Sequence, residues 1–191
     1  MTTQNTTIAV LVGSLRKASI NRQLAEVARD NAPDGVTLTI VEGLGDLPFY
    51  NEDADPATPD GQGAALPESV VAARAAVAAA DAVLIVTPEY NGTIPAVLKN
   101  AIDWLSRPYG AGALKDKPVG VIGAALGRFG GKWSREDTRK SVGIAGSRVV
   151  EEVEIGITTA DLTDEGVGHA DVVAQVLVAV ASLADAAKVN A

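Results

Sequence analysis

The 191-residue chain contains no cysteine, one histidine and one methionine. Missing thiols exclude disulfides, iron–sulfur clusters and thiol redox chemistry, and a lone histidine leaves no ordinary zinc site. A Ser-His-Asp nucleophile would have to use His169, which opens the last helix expected from the pattern; this residue reads as a plain surface position. Clustered Lys and Arg are absent and the net charge is −8, which argues against a nucleic acid or an anionic membrane as partner. No apolar run approaches the ~18 residues of a membrane span. Residues 1–5 lack a basic stretch followed by an apolar one, so no signal peptide is expected and a cytoplasmic location is the default. With so few reactive side chains, any catalysis must borrow its chemistry from a bound cofactor, and no metal is expected.

Two unbroken apolar runs are present, Ile8–Val12 and Ala82–Val86. Short β-branched runs without polar alternation suit strands buried on both faces, as in a parallel sheet covered by helices. Each run leads into a distinctive stretch: Gly13-Ser14-Leu15-Arg16-Lys17-Ala18-Ser19-Ile20-Asn21 and Pro88-Glu89-Tyr90-Asn91-Gly92. In such sheets ligands bind beyond the carboxyl ends of the strands, where strand order reverses. Gly13 suits a tight strand-to-helix turn, while Ser14, Ser19, Asn21 and Arg16 offer hydrogen bonds and a permanent charge to a phosphate. The helix that follows would aim its free N–H groups at the same point. An ordinary βα loop capped by Ser19 is the plainer alternative. The stretch is neither a P-loop nor a Gly-x-Gly-x-x-Gly fingerprint. In the second stretch Pro88 stiffens the strand exit, Asn91 and Gly92 tolerate left-handed angles, and Tyr90 supplies a flat surface; a turn closing a βα unit is the alternative.

The remaining elements alternate. Strands are expected at about 7–13, Val36–Val41, Ala82–Thr87, Val119–Gly123 and Arg148–Ile155. Helices are expected after Ser19, from Pro67-Glu68 to about Ala80, from Pro95 through Leu105, around Trp133, and from Ala170 to Ala187. Alternation of this kind gives one α/β domain over 1–191, a doubly wound three-layer sandwich, and five strands favour the flavodoxin-like order 2-1-3-4-5. An acidic segment from Gly43 to about Pro67 is too long for a simple connection. Its Phe49 and Tyr50 are expected to form an edge of the site. Asp103 and Trp104, off the stripe of Val97, Leu98, Ala101, Ile102 and Leu105, are expected to project toward a second copy.

Gly-Ser-Leu-Arg-Lys-x-Ser-x-Asn, Thr-Pro-Glu-Tyr-Asn and the continuation Leu98-Lys99-Asn100-Ala101-Ile102-Asp103-Trp104-Leu105-Ser106 closely resemble the NAD(P)H-dependent FMN reductase family, in its quinone, azo-dye and chromate reductase branch. The resemblance implies a flavodoxin-like fold, FMN as cofactor, NAD(P)H as co-substrate and a homodimer or dimer of dimers. It also implies that Gly13, Ser14, Arg16, Ser19, Ile20 and Asn21 hold the FMN phosphate, and that Pro88, Glu89, Tyr90, Asn91 and Gly92 meet the ring. From the next loop Gly127, Arg128 and Gly130 would approach its pyrimidine edge, with no catalytic side chain because hydride passes through flavin N5. Relatives often carry Gly-Gly-x-Arg after the fourth strand; here Lys132-Trp133-Ser134-Arg135 follows Gly130-Gly131. The expected activity is hydride transfer from NAD(P)H through FMN to a quinone, flavin, azo compound or metal oxyanion. A flavodoxin-type electron carrier is the alternative, although its Ser/Thr-Gly-x-Thr loop is missing; a flavin-free interaction domain is a third.

Overall fold

The computed structural model describes residues 5–189. Its five parallel strands are β1 (Thr6–Val12), β2 (Val36–Ile40), β3 (Ala82–Val86), β4 (Pro118–Ala125) and β5 (Arg148–Thr158), in the order β2-β1-β3-β4-β5. The helices are α1 (Ile20–Asp30), α2 (Glu68–Ala79), α3 (Ala96–Leu105), α4 (Lys132–Ile144) and α5 (Ala170–Lys188). This is the expected flavodoxin-like sandwich. β3 is buried at every position and β1 nearly so, which their continuous apolar runs allow, whereas edge strand β2 alternates buried and exposed positions. Val10 pairs with Leu84 and Ile8 with Leu38, which places β1 between the other two strands.

Helices cover both faces. Leu24, Ala25 and Ala28 of α1 pack with Val176, Val180 and Leu183 of α5 against Ile8, Val10, Leu84 and Ile122. On the opposite face Val70 and Val77 of α2, Leu98 and Leu105 of α3 and Val142 of α4 meet Leu11, Val83, Ile85 and Val121. α5 has the length and mean hydropathy of a membrane span, a property not anticipated from the sequence. Its inner face nevertheless belongs to the core of the sandwich.

Several boundaries differ from the expected ones, β4 for instance running from Pro118 to Ala125. β5 runs on to Thr158 because of an irregularity: between the pairs Val119–Val149 and Val121–Glu154, β4 advances two residues and β5 five. This slack lets the strand recover its register and continue alongside Ala125. Proline opens α2 and α3 from the cap position, Pro67 and Pro95, just outside the first helical residue.

The 43–67 segment is docked, not loose. The Asn100 side chain donates to the carbonyls of Leu47 (3.3 Å) and Pro48 (3.0 Å) and accepts from Tyr50 N–H at 2.8 Å. Trp104, only 1% exposed, donates its indole N–H to Pro48 O at 2.7 Å and meets the Tyr50 ring edge-on at 4.9 Å. Asp55, fully buried, pairs with Arg74 at 3.3 Å, and Arg107 donates to the Tyr50 hydroxyl. Trp104 therefore does not project toward a second copy. The 43–67 loop needed an anchor, and the indole supplies it.

Candidate active site

At the carboxyl ends of β1, β3 and β4 the two sequence stretches converge on one open cleft of about 230 Å³. Its walls are Ser14, Arg16, Ser19, Ile20 and Asn21 from the first stretch, and Pro88, Glu89 and Tyr90 from the second. Ala124, Ala125 and Leu126 at the end of β4 and Thr159 after β5 complete it.

One end of the cleft is built by α1. Ser19 caps the helix, its Oγ accepting from Arg22 N–H at 3.2 Å. The first N–H groups of a helix have no intrahelical partner, so those of Ile20 and Asn21 are left for a ligand beside the positive end of the dipole. Arg16 spends one guanidinium N–H on Ala18 O at 3.0 Å and remains exposed, with other donors available. Asn21 behaves differently from the expectation of a free phosphate ligand. Its side chain is buried and both ends of its amide are engaged, donating to Ala124 O (2.9 Å) and accepting from Ala124 N–H (2.8 Å). The Asn21 side chain thus ties the start of α1 to the end of β4.

Gly13 does not use a positive φ. A Cβ there would lie 3.2 Å from Thr87 Oγ1 and 3.3 Å from both Pro88 Cδ and Leu98, so glycine serves close approach between the two stretches. Asn91 (φ 51°) and Gly92 (φ 73°) do adopt left-handed angles. They form the two-residue tip of a tight turn in which Tyr90 and Thr93 bond each other's backbone. Asn91, Gly92 and Gly13 support the cleft without lining it.

Gly127, Arg128 and Gly130 are not brought into the lining. Gly130 donates its N–H to Gly127 O at 2.9 Å and packs on β5, where a Cβ would overlap Gly156. Arg128 lies over the ring of Phe129 at 4.5 Å. No residue of 43–67 lines the cleft either; Tyr50 is committed to Trp104 and Arg107. Gly45 of the segment lies against Leu15 of the first stretch, where a Cβ would sit 3.0 Å from its side chain.

Sequence reasoning also missed residues. Glu89 accepts from Ser134 N–H at 3.2 Å, capping α4, while Ser134 Oγ donates to Pro88 O at 2.8 Å. Thr93 adds a bond to Asp137. The second stretch is thereby fastened to the first turns of α4. α4 carries no acidic residue in its first turn, so nothing local pointed to Glu89, which lies 45 residues away in sequence. Thr159 was invisible because β5 was expected to end at Ile155. His169 caps α5, accepting from Asp171 N–H at 3.3 Å.

The model of NADPH-dependent FMN reductases matches residues 6–161. The chain belongs to that family. It is 45% identical over 135 residues to a quinone reductase of Pseudomonas putida, spanning 71% of this chain and 68% of that protein. Against a 2-hydroxy-1,4-benzoquinone reductase of a Burkholderia species it is 44% identical, spanning 64% and 62%. Among solved structures, a flavoenzyme NAD(P)H:(acceptor) oxidoreductase from Paracoccus denitrificans superposes with a TM-score of 0.81 at 32% identity, covering 96% and 97% of the two chains. Family membership makes the chain an oxidoreductase that uses FMN with NAD(P)H as electron donor.

Proposed function

We propose that this reductase passes hydride from NAD(P)H through FMN to a quinone. The observation that carries the reading is the single cleft that joins a phosphate cradle at the start of α1 to the Pro88–Tyr90 wall. The donor set fits the group. Two helix N–H donors, the Ser14 and Ser19 hydroxyls and the Arg16 guanidinium suit a terminal phosphate, and no dinucleotide fingerprint follows. FMN, when bound, supplies the hydride-accepting and electron-donating chemistry. The protein's residues bind, orient and shield it.

Ser14, Arg16, Ser19 and the N–H groups of Ile20 and Asn21 would hold the phosphate. Pro88, Glu89 and Tyr90 would flank the ring, with Ala124, Ala125 and Leu126 opposite. Small side chains at Ala124 and Ala125 leave room for a flat ring. Tyr90 and Leu126 are exposed at the mouth, an apolar rim suited to a planar aromatic acceptor such as a quinone. Relatives acting on quinones support this choice; flavins, azo compounds and metal oxyanions are secondary candidates. Gly127, Arg128 and Gly130 stay in the proposal as a loop behind the ring rather than as its contacts.

Arg16→Ala should weaken FMN binding by about 1.5–3 kcal/mol, the range for charged hydrogen bonds, or roughly 10–150-fold. Unchanged affinity in a fluorescence titration would remove the phosphate role. Yellow protein that bleaches with NAD(P)H and recovers on adding a quinone supports the enzyme; yellow protein inert to NAD(P)H favours the carrier. A homodimer is also proposed. With Trp104 buried, its contact moves to the α3–α4 cleft, where the exposed Tyr109 and Ile144 stand beside Lys99 and Asp103. Sedimentation of the wild type and of Ile144→Glu tests it, a shift to monomer being expected.

A further inference from the structure

Among the described residues, the buried side-chain nitrogen and oxygen atoms without a hydrogen-bond partner are Nε and Nη1 of one residue, Arg135. Arg135 occupies the first turns of α4 and is only 6% exposed. Its nearest opposite charge is Glu154 at 3.9 Å, a side chain still 42% exposed. Arg139, Glu136 and Glu89 are the other charges acting on it, and burial pushes its guanidinium below the ordinary arginine value. The neighbouring Arg139 is by contrast well satisfied, donating to Val153 O, Glu151 O and the Glu151 carboxylate. Buried guanidinium groups are ordinarily paired and saturated with acceptors, because an undercompensated internal charge is strongly destabilising.

The position of this charge suggests what it does. The guanidinium lies on Gly156 of β5, where any Cβ would overlap it, and Gly130 packs on the same residue. Gly156 pairs in register with Gly123, and the next two positions of β4 are Ala124 and Ala125, which line the cleft. Ser134, beside Arg135 in sequence, bonds both Glu89 and Pro88. The charge therefore sits behind the cleft wall, one strand over and one to two residues back from Ala124 and Ala125, on the order of 10 Å at about 4.8 Å per strand and about 3.3 Å per residue. The N-terminus of α4 adds positive potential in the same direction.

We infer that Arg135 is an electrostatic positioning residue that raises the reduction potential of the bound flavin. This rests on the FMN site proposed above. Two-electron reduction by hydride adds negative charge to the flavin; a desolvated cation behind the wall favours that state over the oxidised one. Across roughly 10 Å of protein at an effective dielectric near 20, a unit charge biases such an equilibrium by about tenfold. The lost hydrogen bonds of Arg135 are the stability that this bias costs.

The test compares wild type with Arg135→Met, Arg135→Gln and Arg135→Lys. The midpoint potential of the bound FMN is read by reductive titration against reference dyes, and apoprotein stability by urea unfolding. The neutral variants should lower the preference for reduced FMN by about tenfold, about 30 mV more negative for a two-electron couple. Their apoproteins should be at least as stable as wild type, since an undercompensated charge has been removed. Arg135→Lys should keep the wild-type potential. An unchanged potential in either neutral variant, or the same shift in the lysine variant, would overturn the inference. If Met does not fold, the Gln variant decides. Failure of the wild-type apoprotein to bind FMN would instead refute the site itself.

Discussion

Replacing Trp104 tests the architecture behind the site. The indole is 1% exposed, lies under Pro48 and Tyr50, and has the Arg74 guanidinium 5.6 Å from its ring centre. Truncation of a buried tryptophan to alanine costs about 3–5 kcal/mol through lost burial and the cavity left behind. Pro48 O keeps its bond from Asn100, so its carbonyl is not orphaned. Trp104→Ala should therefore fall within that range and consume a large share of the ~5–15 kcal/mol typical of a domain. Trp104→Phe loses mainly the indole hydrogen bond and some volume, about 1–2 kcal/mol. Urea unfolding of the apoproteins at matched concentration reads both values, with circular dichroism as probe and an unchanged dependence on denaturant expected. The 43–67 loop should loosen first, seen as faster amide exchange at Tyr50 and Asp55. A loss below about 1 kcal/mol for Trp104→Ala, accompanied by dissociation into well-folded monomers, would refute the burial argument and restore an interface role for the indole.

Asn21→Ala should destabilise by about 2–4 kcal/mol, because both the N–H and the carbonyl of buried Ala124 lose their partner. FMN should also dissociate faster from this variant, as Ala124 and Ala125 wall the cleft; stopped-flow flavin release checks this. Glu89→Ala removes the acceptor at the start of α4 and should cost about 1 kcal/mol, read from the thermal midpoint of the apoprotein. The Arg22 guanidinium holds the Glu42 carboxyl below its ordinary value of 4.5. Its contribution is present above that pH and disappears as pH falls through the lower folded-state value, so the gap between wild type and Glu42→Gln should close on acidification. Comparison of their urea midpoints along an acid series tests the sign, and added salt should narrow the same gap at neutral pH.

Much of this was written locally in the chain. Continuous apolar runs mark β1 and β3 as central, alternation marks β2 as an edge, and the residues just beyond β1 and β3 are those that meet in the cleft. These features are legible because each depends on neighbours within one turn or one strand. What was illegible depends on distant partners. Trp104 lies off the apolar stripe of α3, and only the path of the 43–67 loop decides whether that side faces solvent or protein. Asn21 looks like a ligand until Ala124 is placed opposite it. Arg135 offers no local signal, since a charged residue on an amphipathic helix normally faces water. Its exceptional state arises because β5 slips three residues past β4 and continues to Thr158, which carries Gly156 under the guanidinium. The same slip brings Thr159 to the cleft. Shortening β5 between Val149 and Glu154 should therefore disturb both together, releasing Arg135 to solvent and weakening FMN retention. Deleting three residues there and finding the flavin site intact, by affinity and by midpoint potential, would show that the two features are independent.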